Sequence, residues 1–308
     1  MQTLIKEQKV EPPRVFTQPE YSYYSPTAVP APTGLYNNGA TCWCNSLVQL
    51  LLGIPSMNQI LLEYETQLSG NVFATEYIKL VKQMIKRTSI LENEGTLIID
   101  ALHARAQELG RYINFGDRQE CVDEAFCLFI EMLGCPAVEN LFTNVYENRF
   151  RCESCARSSI RREKSLRIQL SPDVRLTNLT DFCNYIRVHA CALEGYTCDC
   201  GHRNVKIRRV EILKMLREVV VITFNKFNEK QLTWFPDTLE FAASGEKPPL
   251  VYKLIGKIEH AGTQRGGHYE ADSFRGGEWF HFDDHFLSRT DPIPTHDTYM
   301  IAYHIVNK

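Results

Sequence analysis

No stretch of about eighteen apolar residues occurs in the chain, so no helix of it is expected to cross a bilayer. The first residues carry no basic cluster followed by an apolar run, so no secretory signal is expected. An excess of one charge sign is missing too. The 34 Lys and Arg against 37 Asp and Glu leave a net charge of −3, and no global field selects nucleic acid or an anionic membrane. No internal repeat is found. Cysteine, by contrast, is plentiful. Eleven thiols, an odd number, in a chain without an export signal predict reduced cysteines and a cytoplasmic or nuclear setting. Some of them must serve as nucleophile, metal ligands or core. With 308 residues, 44% of them hydrophobic, the chain can bury the core of one large domain or two small ones.

Residues 1–33 hold Pro12, Pro13, Pro19, Pro26, Pro30 and Pro32, a density that denies both helix and ladder and predicts a disordered or extended leader. From Cys42, Leu47, Leu50, Leu51 and Ile54 recur at helical spacing until Pro55. Helical patterns follow over Tyr77–Ile85, Ile98–Leu109 and Val122–Leu133. After Leu141 the texture changes: Leu166–Leu170, Val219–Phe227, Val251–Ile258 and Thr298–Val306 are short apolar runs between turn residues and predict strands. The fold class is α+β, a helical half meeting a β-rich half, with a natural site in the cleft between them.

Two motifs at opposite ends carry chemistry. Gly34-Leu35-Tyr36-Asn37-Asn38-Gly39-Ala40-Thr41-Cys42 is a glycine-bearing turn that puts Cys42 at a helix N-terminus, where free amides and the dipole favour thiolate. A core cysteine needs no such polar turn. A Cys42-x-Cys44 metal pair is disfavoured, because Cys44 faces away down the helix and no further ligands accompany it. Asn37 can set an amide donor beside an attacked carbonyl, as in an oxyanion hole. At the other end stand Gly266-Gly267-His268-Tyr269 and Trp279-Phe280-His281-Phe282-Asp283-Asp284. Paired glycines before His268 allow a substrate backbone to come close. Tyr269–Phe274 and Glu278–Phe282 read as a hairpin turning at Arg275-Gly276-Gly277, which would bring Asp283 back toward His268. A cysteine nucleophile needs a base and an orienting group, and these segments supply both. Among nine histidines only His268 has this setting; His260, His281 and His285 are read as structural or peripheral.

Between the two ends, Cys152-Glu-Ser-Cys155 and Cys198-Asp-Cys200-Gly-His202 place two thiol pairs at turns. Four thiolates satisfy tetrahedral zinc. The second pair is Cys-x-Cys, which leaves His202 open as an alternative ligand, and loss of the metal open as well. Residues 149–217 carry fifteen Lys and Arg against seven Asp and Glu. No nucleic-acid motif accompanies them, so they are read as a solvated β surface or one that grips a folded protein.

The stretch from Gly34 to Gln49 resembles the cysteine box of the ubiquitin-specific proteases, Gly-Leu-x-Asn-x-Gly-(Asn/Ala)-Thr-Cys-(Tyr/Trp)-x-Asn-Ser-x-x-Gln. Ile258–Gly262, Gly266–Ala271 and Trp279–Asp284 resemble that family's histidine box. The Phe150-x-Cys and Tyr196-x-Cys contexts match its fingers, and Gln119-Glu120-Cys121-Val122-Asp123-Glu124 resembles its Gln-x-Asp-Ala-x-Glu helix. There Cys121 replaces the acid that meets the ubiquitin tail, with Glu120 or Asp123 as the nearest substitutes.

The resemblance implies a papain-like catalytic domain over 34–308, with a helical thumb over about 34–140, zinc-ribbon-like β fingers over about 141–217 and a β-rich palm over about 218–308. It implies a deubiquitinase in which Cys42 attacks, His268 is the base, Asp283 orients it and Asn37 holds the oxyanion. Asp284 is left to polarise the hydrolytic water or support the oxyanion. Gln119, Gly267 and Tyr269 would meet substrate, in a channel narrow enough to select glycine. Cys152, Cys155, Cys198 and Cys200 would hold structural zinc. The expected partners are ubiquitin and ubiquitinated proteins, bound by a monomer, with no nucleic acid and no membrane span. A protease for another ubiquitin-like modifier, a catalytically weak ubiquitin-binding module and a zinc-finger nucleic-acid binder are the competing readings.

Overall fold

The computed structural model describes residues 29–86, 93–113, 119–170, 176–203, 205–224, 234–242, 248–263 and 266–306. The leader expected over 1–33 lies outside them up to residue 28, as do residues 225–227 of the strand expected over Val219–Phe227. Residues 30–33 form no regular structure but are tied down: Ala31 N donates to Met84 O at 3.1 Å, and Gln49 Nε2 donates to Thr33 O at 2.7 Å.

The helices come first. They are α1 (Cys42–Leu52), α2 (Pro55–Glu63), α3 (Glu65–Leu68), α4 (Val72–Ile85), α5 (Glu94–Glu108), α6 (Val122–Leu133) and α7 (Pro136–Phe142). Local chemistry sets their ends. Pro55 and Pro136 open α2 and α7, where no amide partner is lost. The Asn71 side chain accepts from Ala74 N at the start of α4. Gly134 closes α6 in the left-handed region at φ 60°.

Strands follow: β1 (Asn144–Cys152), β2 (Ser158–Ser165) and β3 (Ile168–Leu170), then helix α8 (Leu179–Arg187), then β4 (Val188–Tyr196), β5 (Val205–Met215), β6 (Val219–Phe224), β7 (Thr238–Phe241), β8 (Leu250–Thr263), β9 (Gly266–Arg275), β10 (Glu278–Asp283), β11 (Phe286–Arg289) and β12 (Thr298–Ile305). They make a four-stranded sheet, β2-β1-β5-β4, and an eight-stranded sheet, β11-β10-β9-β8-β12-β6-β3, with β7 paired on β8. Every pairing is antiparallel except β3 with β6.

Helix α1 is the pivot. All eleven of its residues are buried, although Asn45, Ser46 and Gln49 are polar. It packs against α5 and α6 on one side and β8, β9 and β10 on the other. Trp43, Leu47 and Leu50 join Phe73, Phe126, Phe129 and Ile258 in one apolar cluster. A helix buried all round sits between layers rather than on one. A second cluster, from Tyr146 to Ile305 and including Phe182, Tyr252 and Tyr303, packs on the large sheet. The hairpin expected at Arg275-Gly276-Gly277 forms there, with both glycines at positive φ.

Arg275 at that turn is 2% exposed, and no carboxylate among the described residues pairs with it. Its guanidinium instead donates to Gln49 O at 2.7 Å, Gln49 Oε1 at 2.6 Å and Ala31 O at 3.3 Å, and lies 4.8 Å from the Phe282 ring. Burial lowers its pKa to about 9.

Gly34 enters this frame without room for a side chain. A Cβ there would lie 2.4 Å from the His285 carbonyl oxygen and 2.6 Å from its carbon, both backbone. Gly34→Ala is therefore expected to push the cysteine segment off the turn after β10. We expect a loss of about 2 kcal/mol or more, read as a fall of several degrees in melting temperature. An unchanged melt would mean the segment reseats freely.

Candidate active site

Cys42 is the first residue of α1 and is 5% exposed. The turn before it is closed from within: Asn37 Oδ1 accepts from Thr41 N and from Thr41 Oγ1, each at 3.1 Å, and Asn38 N donates to Thr41 Oγ1 at 3.2 Å. Thr41 makes no side-chain cap, so the helix N-terminus stays open toward the thiol. Burial pushes the Cys42 thiol above its ordinary value and the Asp284 charge adds to this, against the pull of the Tyr269, Trp43 and Cys42 amides. The helix position alone would favour thiolate; burial outweighs it, and the thiol needs a cation beside it.

The candidate partner is His268 on β9. Tyr269, whose amide points at the Cys42 sulfur, is the next residue in the chain. His281 pairs with Asp272 and Phe282 with Ala271, so the hairpin register returns Asp283 toward His268. Asp283 Oδ1 lies 2.6 Å from His268 Nε2. A carboxylate there holds the proton on Nε2 and leaves Nδ1 as the basic nitrogen.

Asp284 adopts φ 51°, a left-handed conformation unusual for a residue other than glycine. Its side chain accepts from Asn45 Nδ2 at 2.8 Å and Asn37 Nδ2 at 3.0 Å, and its carbonyl accepts from Leu35 N at 2.9 Å. Its Oδ2 stands 4.0 Å from His268 Nε2. One proton of the Asn37 amide is thereby fixed on Asp284, which orients the group and leaves it a second donor.

The other expected site residues converge nearby. Gln119 Nε2 lies 2.7 Å from His260 Nε2, and the His260 ring stacks on buried Tyr269 with centroids 4.4 Å apart. A Cβ on Gly267 would come within 2.4 Å of Ala261 O and 2.7 Å of His260 Nε2, so only glycine fits this crossing. His260, read from the sequence as structural or peripheral, is 4% exposed and braces Gln119, Gly267 and Tyr269 together. Its signal lay in the Glu259-His260-Ala261-Gly262 run, on the strand next to the one that carries His268. Cys121 Sγ meets Tyr299 OH at 3.1 Å. Asp123, a substitute considered for the missing acid, is already taken: Arg167 grips both its oxygens and Gln169 Nε2 donates to it at 2.9 Å.

All eleven cysteines are free thiols. Cys152, Cys155, Cys198 and Cys200 gather at the tip of the four-stranded sheet with their sulfurs all within 4.8 Å of one another. Cys155 Sγ and Cys198 Sγ are 3.8 Å apart, close to the edge of a tetrahedron with metal–sulfur bonds of about 2.3 Å. The His202 amide and the neighbouring thiols draw the Cys200 thiol down to about 6. His202 Nδ1 lies 3.2 Å from the Cys200 sulfur, beside the four-sulfur cluster. The short Cys-x-Cys pair thus still delivers both sulfurs, and the four residues could bind a metal.

The ubiquitin carboxyl-terminal hydrolase family model matches residues 33–303. This chain belongs to that family. Ubiquitin carboxyl-terminal hydrolases are cysteine-type deubiquitinases. Ubiquitin carboxyl-terminal hydrolase 36 of Drosophila ananassae is 23% identical over 291 residues, covering 83% of this chain and 26% of that protein. Ubiquitin carboxyl-terminal hydrolase 5 of Schizosaccharomyces pombe is 25% identical over 293 residues, covering 83% of this chain and 25% of that one. The chain thus spans about a quarter of the length of these relatives. Among solved structures, Ubp8 in the SAGA DUB module bound to monoubiquitin superposes with a TM-score of 0.70 at 20% identity, covering 94% of this chain and 72% of that one. The α+β fold of the ubiquitin-specific-protease type expected from sequence is the fold observed.

Two measurements probe the geometry. Asp283→Ala should leave the melting temperature near wild type and cut hydrolytic turnover by about ten thousandfold, the cost of a misplaced tautomer. Asp284→Ala should lower both, because two amide groups lose their acceptor, with about 2 kcal/mol or more of stability gone. Near-wild-type turnover in both variants would unseat both carboxylates. Separately, His268→Ala removes the cation from a thiol that burial holds up. Alkylation of Cys42 by iodoacetamide at pH 7 should slow by about one to two orders of magnitude, with the midpoint of its pH profile above about 9. An unchanged profile would show that the base plays no part in the thiolate.

Proposed function

We propose that this family member is an active deubiquitinase, hydrolysing the isopeptide or peptide bond after the C-terminal Gly-Gly of ubiquitin. The observation that carries the reading is the 2.6 Å contact of Asp283 with His268, on the strand whose next amide meets the Cys42 sulfur. His268 Nδ1 takes the Cys42 proton, and the thiolate attacks the carbonyl carbon of the terminal glycine. Asn37 and the amides at the start of α1 receive the oxyanion. The tetrahedral intermediate collapses to a thioester as His268 gives the proton to the leaving amine. Water, deprotonated by His268, then releases the free carboxylate and restores the thiol. Gly267 and Tyr269 narrow the approach to Cys42, which suits a tail without side chains at its last two residues. Asp284 acts first by fixing Asn37.

On this reading the thumb spans about 34–140, the fingers about 141–217 and the palm about 218–308. Cys152, Cys155, Cys198 and Cys200 would hold zinc, which when bound supplies a structural cross-link between two turns and takes no part in hydrolysis. The partners are ubiquitin and ubiquitinated proteins; the chain works as a monomer, in a reducing compartment that suits its free thiols, with no nucleic acid. Among the described residues no helix is long and apolar enough to cross a membrane.

A second reading, action on another ubiquitin-like modifier, is favoured by one observation. Cys121 stands in the place of the tail-binding acid and Asp123 is clamped by Arg167, which leaves less negative charge for a basic tail. A panel of modifiers bearing C-terminal electrophiles separates the two. Ubiquitin should label Cys42 fastest, and Cys42→Ala should abolish the adduct. Preferential labelling by a different modifier would replace ubiquitin, and no labelling by any would remove the protease assignment.

Elemental analysis tests the metal. About one equivalent of zinc is expected, and Cys155→Ser should release it and lower the melting temperature while Cys42 still reacts with iodoacetamide. Less than a tenth of an equivalent, with stability unaffected by the substitution, would show an empty thiol cluster.

A further inference from the structure

A row of charged groups leads away from His268 along one face of β8, β9 and β10. Glu259 lies opposite Glu270, Lys257 opposite Asp272, and Asp272 opposite His281, and residues paired this way share a face of the sheet. At the inner end Lys257 Nζ binds Asp272 Oδ2 at 2.8 Å, Glu259 Oε1 at 3.0 Å and the Ile293 carbonyl at 3.2 Å. The Lys257 and Asp272 side chains are each 3% exposed. Asp272 Oδ1 then meets His281 Nδ1 at 2.8 Å, and His281 Nε2 faces Glu270 Oε2 at 3.5 Å. Glu270 Oε1 stands 4.0 Å from His268 Nε2, on the same nitrogen that Asp283 holds.

Hydrolysis through Cys42, His268 and Asp283 requires none of these groups. A buried Lys–Asp pair costs most of what it gains, so stability alone is a weak reason for it. What the pair does is fix His281. The hydrogen bond that His281 donates to Asp272 chiefly, together with nearby carboxylates, raises the His281 pKa and favours its cation. A cationic imidazole donates from both nitrogens, to Asp272 and to Glu270; a neutral one donates from one and turns a lone pair on the other carboxylate. Burial chiefly raises the Glu270 pKa, and the two histidines draw it back.

We propose that Glu270 is a second carboxylate supporting the His268 imidazolium, and that His281, anchored through Asp272 to Lys257, holds Glu270 at its working distance. The other charged or titratable groups facing this pair are Asp283 on β10, Asp284 after it, Glu259 on β8 and Cys42 on α1; the covering loop adds the Thr295 hydroxyl, bonded to Glu259. Glu270 and His281 are positioning residues: they act on the base and do not touch the scissile bond. The inference rests on the reading of His268 as general base and acid.

The test is the alkaline limb of kcat/KM for a ubiquitin C-terminal amide, where the imidazolium loses its proton. Glu270→Gln removes an anion from the imidazolium, so the limb should move down by about one pH unit. His281→Gln keeps an amide donor for Asp272 but removes the cation that restrains Glu270. The freed carboxylate should close on His268, and the limb should move up. The double variant should follow Glu270→Gln. A purely structural role would move both single variants the same way, and that result, or no movement in either, overturns the proposal. Glu270→Asp, which keeps the charge one methylene further back, should give a smaller downward shift and serves if the glutamine variant melts early. NMR titration of the His268 ring in the full chain without substrate should show the same opposite shifts. A chain that cleaves ubiquitin at no pH refutes the proposed function, whereas the NMR titration still decides this inference.

Discussion

Asp284 ties the two ends of the chain together, and the site depends on that join. Its carboxylate spans the Asn37 and Asn45 amides and its carbonyl takes the Leu35 amide, so one residue after β10 is bonded to three points of the cysteine segment. Charge-assisted hydrogen bonds in a site this enclosed are stronger than neutral ones and tightly directional. Asp284 reaches all three with its backbone in the left-handed region. Asn37 is held in turn, and with it the turn that presents Cys42.

The burial of α1 has an electrostatic consequence. A helix sunk between two layers places its first thiol out of water, where thiolate is disfavoured. The amides around Cys42 offset part of this, and on the proposed mechanism a neighbouring cation has to supply the rest. The acidic surroundings of His268, with Asp283 in contact and Glu270 and Asp284 each at 4.0 Å, are the counterpart of that need.

Much of this was legible in sequence because the informative residues are local. A glycine-bearing turn before Cys42, a Gly-Gly turn closing the His268–Asp283 hairpin, and two short-spaced thiol pairs each dictate their own geometry within a few residues. Helix periodicity found α6 to its last residue, and α4 and α5 within a few. What escaped were relations between strands. His260 looked like a lone histidine until the β8–β9 register set it against Tyr269 and Gly267. Lys257, Asp272 and His281 are unremarkable in order along the chain; pairing alone makes them a chain of contacts. Asp123 looked available until Arg167, far along the chain, was folded onto it. The lowered thiol expected at a helix start failed for the same reason, since burial is a property of the packed molecule.

The hairpin carrying His268 and Asp283 is pinned to α1 at both ends. At one end Asp284 holds Asn37 and Asn45; at the other Arg275 donates its protons to Gln49 and Ala31. Two bolts on one hinge leave no hinge. Cys42 and His268 are therefore held as a single rigid part, and any opening of the cleft must come from elsewhere, through the four-stranded sheet or the helices beyond α1.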